Sequence, residues 1–136
     1  MSKITGLQLD AKDATSIVIS AIEGGTNYWA ECKGYKWKSW YVDADAPYGH
    51  ENYDKLREIP RDEVLVYIRE DADQVEPEAG REWFGITIEK LEKALCQGIT
   101  EGYGGLYEFS YGEIHTDANG ADNIFQLAMF GKLVYG

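Results

Sequence analysis

Two histidines are the natural starting point for acid–base chemistry in this 136-residue chain: His50, beside Glu51, and His115, two residues before Asp117. A histidine paired with a carboxylate can take and return a proton near neutral pH. The two lie in separate segments, no serine or cysteine stands in a nucleophile elbow, and no glycine-rich phosphate loop opens a helix. A hydrolase using His50 or His115 stays as a third reading, and no catalytic residue is assigned. Three acidic runs echo calcium loops: Asp43-x-Asp45, Asp71-x-Asp73 and Asp117-x-Asn119-Gly-x-Asp122. None closes with a glutamate at the twelfth position. The third fits a helix N-terminus better, where acid complements the dipole. The expectation is no metal site and no cofactor.

Two other constellations suit binding rather than catalysis. The first is EGGTNYWAECKGYKWKSWY, residues 23–41, which holds three of the four tryptophans, three tyrosines and three lysines. Asn27, Tyr28 and Trp29 follow the double glycine and either begin the core sheet or line a pocket at a helix-to-strand corner. Lys36, Trp37, Lys38 and Trp40 form a basic–aromatic run of a kind that can stack a nucleotide-like ligand. The second is the acidic run Glu70, Asp71, Asp73, Glu76 and Glu78, with Tyr67 beside it. Spaced carboxylates can occupy a basic groove on another protein and speed the encounter.

The charge balance weighs on these options. There are 13 basic and 24 acidic residues, a net charge of −11. Phosphate binding needs a positive field, so direct nucleic-acid binding is not expected. Residues 62–82 hold eight acidic residues against Arg69 and Arg81, whereas residues 29–41 hold Lys33, Lys36 and Lys38 against Glu31 alone. The surface should be electrically two-sided. Length fits one domain with an adequate core. No apolar run is long enough to span a membrane, and the N-terminus lacks a signal-peptide core. Cys32 and Cys96 show no CxxC spacing; a reduced pair in the cytoplasm is expected, with one disulfide as the alternative.

The elements that must position these groups follow from period and punctuation. DATSIVISAIE, residues 13–23, reads as a helix capped by Asp13, with Ile17, Ala21 and Ile22 on one face and Gly24 as a left-handed stop. Residues 28–41 alternate and read as a broken strand or a hairpin around Lys33-Gly34, with Trp29 in the core and Trp40 on the exposed face of Lys36 and Lys38. Residues 43–62 read as a long loop with one helical turn near Tyr53–Arg57. Val64–Arg69 and Glu82–Ile86 make a hairpin around an acidic turn at about 70–81. Thr87 caps a helix bearing Ile88, Leu91 and Leu95 and stopped by Gly98. A short strand is expected over Leu106–Tyr111. Asp117 caps a last helix with Ala121, Ile124, Phe125 and Ala128 inward and Gly131 at its end. The class is α+β: a single domain, 1–136, with a small antiparallel sheet and about three helices on one face.

Two segments carry a resemblance. SAIEGGTNYWAE, residues 20–31, is similar to an Ala-x-Glu-Gly-Gly-Ser/Thr-Asn-Tyr-Trp element in small proteins of bacteriophages and prophages. ADNIFQLAMFGKLVYG, residues 121–136, resembles the end of the same proteins through Ala121, Asp122, Gln126, Phe130, Gly131, Tyr135 and Gly136. Residues 43–82 have no counterpart there. The resemblance implies a viral accessory protein in the host cytoplasm and no particular chemistry. Taken together, the sequence points to a non-enzymatic counter-defence or host-modulating inhibitor that binds a basic host protein through its acidic face. The alternative is a binder of a nucleotide-like signal.

Overall fold

The computed structural model describes residues 8–41, 56–71, 82–103, 108–110 and 113–135. The first helix, α1, runs Ala11–Ser20. Its cap is Asp10, not Asp13: the Asp10 carboxylate accepts from the Asp13 amide at 2.8 Å. The earlier start follows from a tertiary tie. Leu9 is buried, and its amide donates to Glu92 Oε1 at 2.8 Å. Ala14, Thr15, Ile17 and Val18 form the inward face.

The chain does not stop at Gly24. It widens into a π-helical turn over Ala21–Gly25 and tightens into a 3₁₀ turn over Thr26–Tyr28. Gly24 does not take a positive φ. It is there for proximity: a Cβ at Gly24 would lie 2.5 Å from Ala118 Cβ, and one at Gly25 would lie 2.9 Å from both Ala118 O and Asp122 Cβ. The double glycine therefore lets the final helix come up against this turn.

Three antiparallel strands make the sheet in the order β1 (Ala30–Lys33), β2 (Val66–Glu70), β3 (Phe84–Ile86). Ala30 pairs with Glu70 and Val66 with Ile86. Within β2 the alternation holds, with Val66 and Ile68 buried and Tyr67 exposed on the other face, but the strand begins two residues later than expected and Leu65, just before it, is buried as well. Residues 72–81, which include Asp73, Glu76 and Glu78, lie outside the described residues, as do 42–55 of the 43–62 loop. Of the turn expected near 53–57, the described Leu56 instead bridges to Tyr41 in extended backbone.

Residues 35–41 form no strand. Trp37–Trp40 is a 3₁₀ turn, clasped by Arg57, whose amide donates to Trp40 O at 2.7 Å and whose Nε donates to Ser39 O at 2.6 Å. In a 3₁₀ turn residues three apart share a side, so Trp37 and Trp40 both turn toward the core. Trp40 is only 2% exposed. The expected exposure of Trp40 beside Lys36 and Lys38 is thus corrected.

Helix α2 runs Ile88–Thr100, capped by Thr87, whose hydroxyl accepts from the Lys90 amide at 3.2 Å. Gly98 lies buried inside it and is not its stop. A two-stranded ladder, β4 (Glu108–Ser110) with β5 (Glu113–His115), precedes α3 (Ala118–Phe130). Asp117 caps α3 by accepting from the Gly120 amide at 2.7 Å. Gly131 closes it at φ 73°, in the left-handed conformation that glycine takes without steric cost. The fold is a small α+β domain whose core joins Ile17 and Val18 of α1, Val66 and Ile68 of β2, Leu91 and Leu95 of α2, and Ile124 and Phe125 of α3. Among the described residues no helix is long and apolar enough to cross a membrane.

Candidate functional site

The two ends of the chain meet at one corner. Asp122, one turn into α3, aims its carboxylate at the segment after the double glycine. Its Oδ1 accepts from Thr26 Oγ1 and from Trp29 Nε1, each at 2.8 Å. Its Oδ2 accepts from Gln126 Nε2 at 2.9 Å. Gln126, fully buried, also holds the strap that follows α3. Its Oε1 accepts from the amides of Val134 and Tyr135 at 2.8 Å each, and its Nε2 donates to Tyr135 O at 3.0 Å. Every hydrogen-bonding position of the Gln126 amide is used, so the strap is fixed by one side chain.

Trp29 is the centre of this corner. Its ring stacks on Tyr135, with centroids 5.0 Å apart and planes 9° apart, and meets Phe130 at 5.4 Å. Such offset stacks add to the area buried by each ring. The Trp29 carbonyl accepts from the Asp71 amide at 2.8 Å, which joins the corner to the end of β2. Burial pushes the Tyr135 phenol above its ordinary value. Glu70, which accepts a hydrogen bond from it, and Asp71 push in the same direction. Glu70 and Asp71 are therefore half-buried members of this corner rather than free turn charges.

Beside the buried network lies a cavity of about 720 Å³ lined by Gly25, Tyr28, Trp29, Asp122, Leu133, Val134 and Tyr135, together with Asn119 and Asn123. Asn27 and Tyr28 face outward; Tyr28 is 83% exposed although it adjoins Trp29 at 2%. Leu133 and Val134 are 36% and 46% exposed. Among the described residues the polar side chains here are the amides of Asn119 and Asn123, the phenols of Tyr28 and Tyr135, and the Asp122 carboxylate, already taken by three donors. They offer hydrogen bonds and no nucleophile–base pair.

The other expected site residues lie elsewhere. Lys36 and Lys38 are exposed around the buried Trp40, and Trp37 is half-buried, its ring 5.7 Å from Lys38 Nζ. Among the described residues no lysine lines the cavity. Tyr67 sits on the outer sheet face above Gly85. That face carries the cation–aromatic group the sequence suggested for residues 36–40: Trp83 has Lys33 Nζ at 4.5 Å and Arg69 at 4.3 Å. Lys33, Arg69 and Trp83 were missed because they come from three segments. His50 lies outside the described residues, and of His115 only the backbone in β5 is described. Among the described residues no three His, Cys, Asp or Glu side chains gather as a metal site. Cys32 and Cys96 are both free thiols.

Comparison with protein families, characterised proteins and solved structures finds no match to this chain.

Proposed function

We propose that this chain is a non-enzymatic binding protein that engages a protein partner bearing basic side chains at the Trp29–Tyr135 corner. The observation that carries the reading is a coincidence of exposure. Three of the four large apolar side chains exposed among the described residues, Tyr28, Leu133 and Val134, line one cavity. Exposed apolar groups gathered on a rigid base mark interaction sites, and tyrosine is enriched among residues that dominate binding energy. Glu70 and Asp71 supply an acidic flank beside Tyr135, and the net charge of −11 supplies the steering field. The acidic face thus acts as the rim of an aromatic centre. The resemblance of the two end segments to phage and prophage proteins supports a host-modulating role, as an inhibitor or counter-defence factor acting on a host protein.

A second reading has the cavity capture a small ring-bearing ligand, which its volume favours. The absence of a lysine among the described lining residues argues for a neutral ligand over a nucleotide.

The test is capture from host lysate by immobilised wild type and Tyr28→Ala, with proteins and small molecules identified by mass spectrometry. A protein retained by wild type at low salt, released at high salt and lost with Tyr28→Ala supports the proposal. A partner retained equally by both baits places the site elsewhere. A small molecule without a protein selects the second reading.

A further inference from the structure

We infer that the outer edge of β1 is a self-pairing surface, and that two copies of this chain associate by antiparallel β1–β1 pairing centred on Cys32. Among the described residues β1 is an edge strand, with β2 on one side only. The Asp71 amide donates to Trp29 O, so Trp29–Asp71 is a hydrogen-bonded pair of the β1–β2 ladder. Antiparallel pairs alternate between hydrogen-bonded and not. With the register Ala30–Glu70 to Lys33–Tyr67, Glu31 and Lys33 spend their backbone groups on β2. The N–H and C=O of Ala30 and Cys32 then point outward, and no backbone partner for either is found among the described residues.

Edge strands are commonly guarded by charged side chains that reach over the edge. Here both charges lie back across the sheet. Glu31 Oε2 is 2.6 Å from Arg69 Nε on β2, and Lys33 Nζ sits over the rings of Tyr67 and Trp83. What remains at the edge is Cys32, exposed, with a free thiol.

The sequence Glu31-Cys32-Lys33 selects the partner and the register. Antiparallel pairing centred on Cys32 sets Glu31 of each copy opposite Lys33 of the other, twice. Centring on Glu31 opposes two carboxylates, and centring on Lys33 opposes two ammonium groups. Opposite charges across a strand pair stabilise it and like charges destabilise it. Of these three two-fold registers, the Cys32-centred one alone sets unlike charges opposite each other across the seam. It also brings the two Cys32 side chains to directly opposed positions. This surface is independent of the cavity at the Trp29 corner.

Sedimentation across a concentration series, under reducing conditions, measures the association. Glu31→Lys alone and Lys33→Glu alone should each weaken dimerisation by about tenfold, since two contacts turn from attraction to repulsion. The double variant Glu31→Lys/Lys33→Glu should restore it. Cys32→Pro should abolish it while leaving the far-UV spectrum unchanged, because that amide is not used by β2. Mild oxidation should cross-link wild type through Cys32 into a dimer that Cys32→Ser cannot form. A chain that stays monomeric throughout the series with no Cys32 cross-link overturns the inference. So does a dimer that the single charge variants leave unchanged.

Discussion

Replacing Asp122 by alanine should be among the costliest changes to this protein outside its apolar core. The carboxylate accepts from three donors, two of them 93 and 96 residues away in sequence. Their losses differ. The Trp29 indole N–H is fixed in the plane of a ring packed against both Tyr135 and Phe130, so it cannot turn to another acceptor. A buried donor left unsatisfied costs about 1–3 kcal/mol, and the indole should stand near the middle of that range. Thr26 is buried, but its hydroxyl can rotate, so it should lose about 1 kcal/mol. Gln126 Nε2 keeps Tyr135 O and should lose less. The sum is about 3–4 kcal/mol. At a urea slope of about 2 kcal/mol/M this moves the midpoint down by about 1.5–2 M.

Asp122→Asn separates the donors. One oxygen still serves Thr26 and Trp29, while the new amide nitrogen meets the Gln126 amide donor to donor. Gln126 cannot invert without turning its NH₂ on the amides of Val134 and Tyr135. The expected loss is therefore intermediate, about 1–2 kcal/mol. Urea unfolding followed by far-UV circular dichroism measures both. An alanine variant within 1 kcal/mol of wild type, or an asparagine variant as damaging as alanine, would refute this account of the corner.

Gly24→Ala should lose about 1–3 kcal/mol by overpacking against Ala118; equal urea midpoints for the variant and wild type would remove the close-approach explanation. Trp40→Ala and Trp29→Ala should each cost about 3–5 kcal/mol and Trp37→Ala distinctly less, so a Trp40→Ala protein as stable as wild type would return residues 37–40 to the surface. Because the Tyr135 phenol is pushed up by burial and by Glu70 and Asp71, its contribution is complete below the unfolded-state value of about 10 and is lost as pH rises through the higher folded value. Tyr135→Phe should accordingly lose less stability than wild type as pH rises above about 10; parallel curves would show that the phenol is not linked to folding.

Where neighbours in sequence decide, the fold is legible. The Thr87 and Asp117 caps, the Gly131 stop and the Val66–Ile68 alternation each rest on contacts within four residues or on a simple period. The misreadings arise where distant groups decide. Asp10 and Asp13 are equally good caps in isolation; Glu92, on α2, selects Asp10 by holding Leu9. Gly24 looks like a helix stop because EGG follows an amphipathic run, yet its cause is Ala118 on another helix. Residues 35–41 alternate in polarity, but Trp37 and Trp40 are also three apart, which suits the 3₁₀ turn equally well. Asp122 stood out as an acid near a helix start and as a member of the C-terminal motif, but nothing local marks it as the acceptor for Trp29. Asn27 to Trp29 were singled out as a group, and folding divides them.

That division decides how the corner can be interrogated. In Thr26-Asn27-Tyr28-Trp29 the outer two side chains turn inward to Asp122 and the middle two face outward. Gly24, Gly25, Asp122, Gln126 and Tyr135 all serve the inward side, as spacing, acceptor, clamp and stack. Substituting any of them perturbs the corner itself, whatever the corner does. A loss of function there carries no information about recognition. Tyr28 is different: it projects from a 3₁₀ turn whose two flanking residues are tied to α3, so it is presented on a rigid base at little entropic cost, and its removal disturbs no buried partner. Tyr28→Ala should keep the wild-type urea midpoint to within about 0.5 kcal/mol of stability. If the corner is where a partner docks, the same variant should weaken capture by tenfold or more, the 1.4 kcal/mol or more expected of a central tyrosine. A Tyr28→Ala protein that is equally stable and binds equally well would leave the corner a purely structural joint between the two ends of the chain.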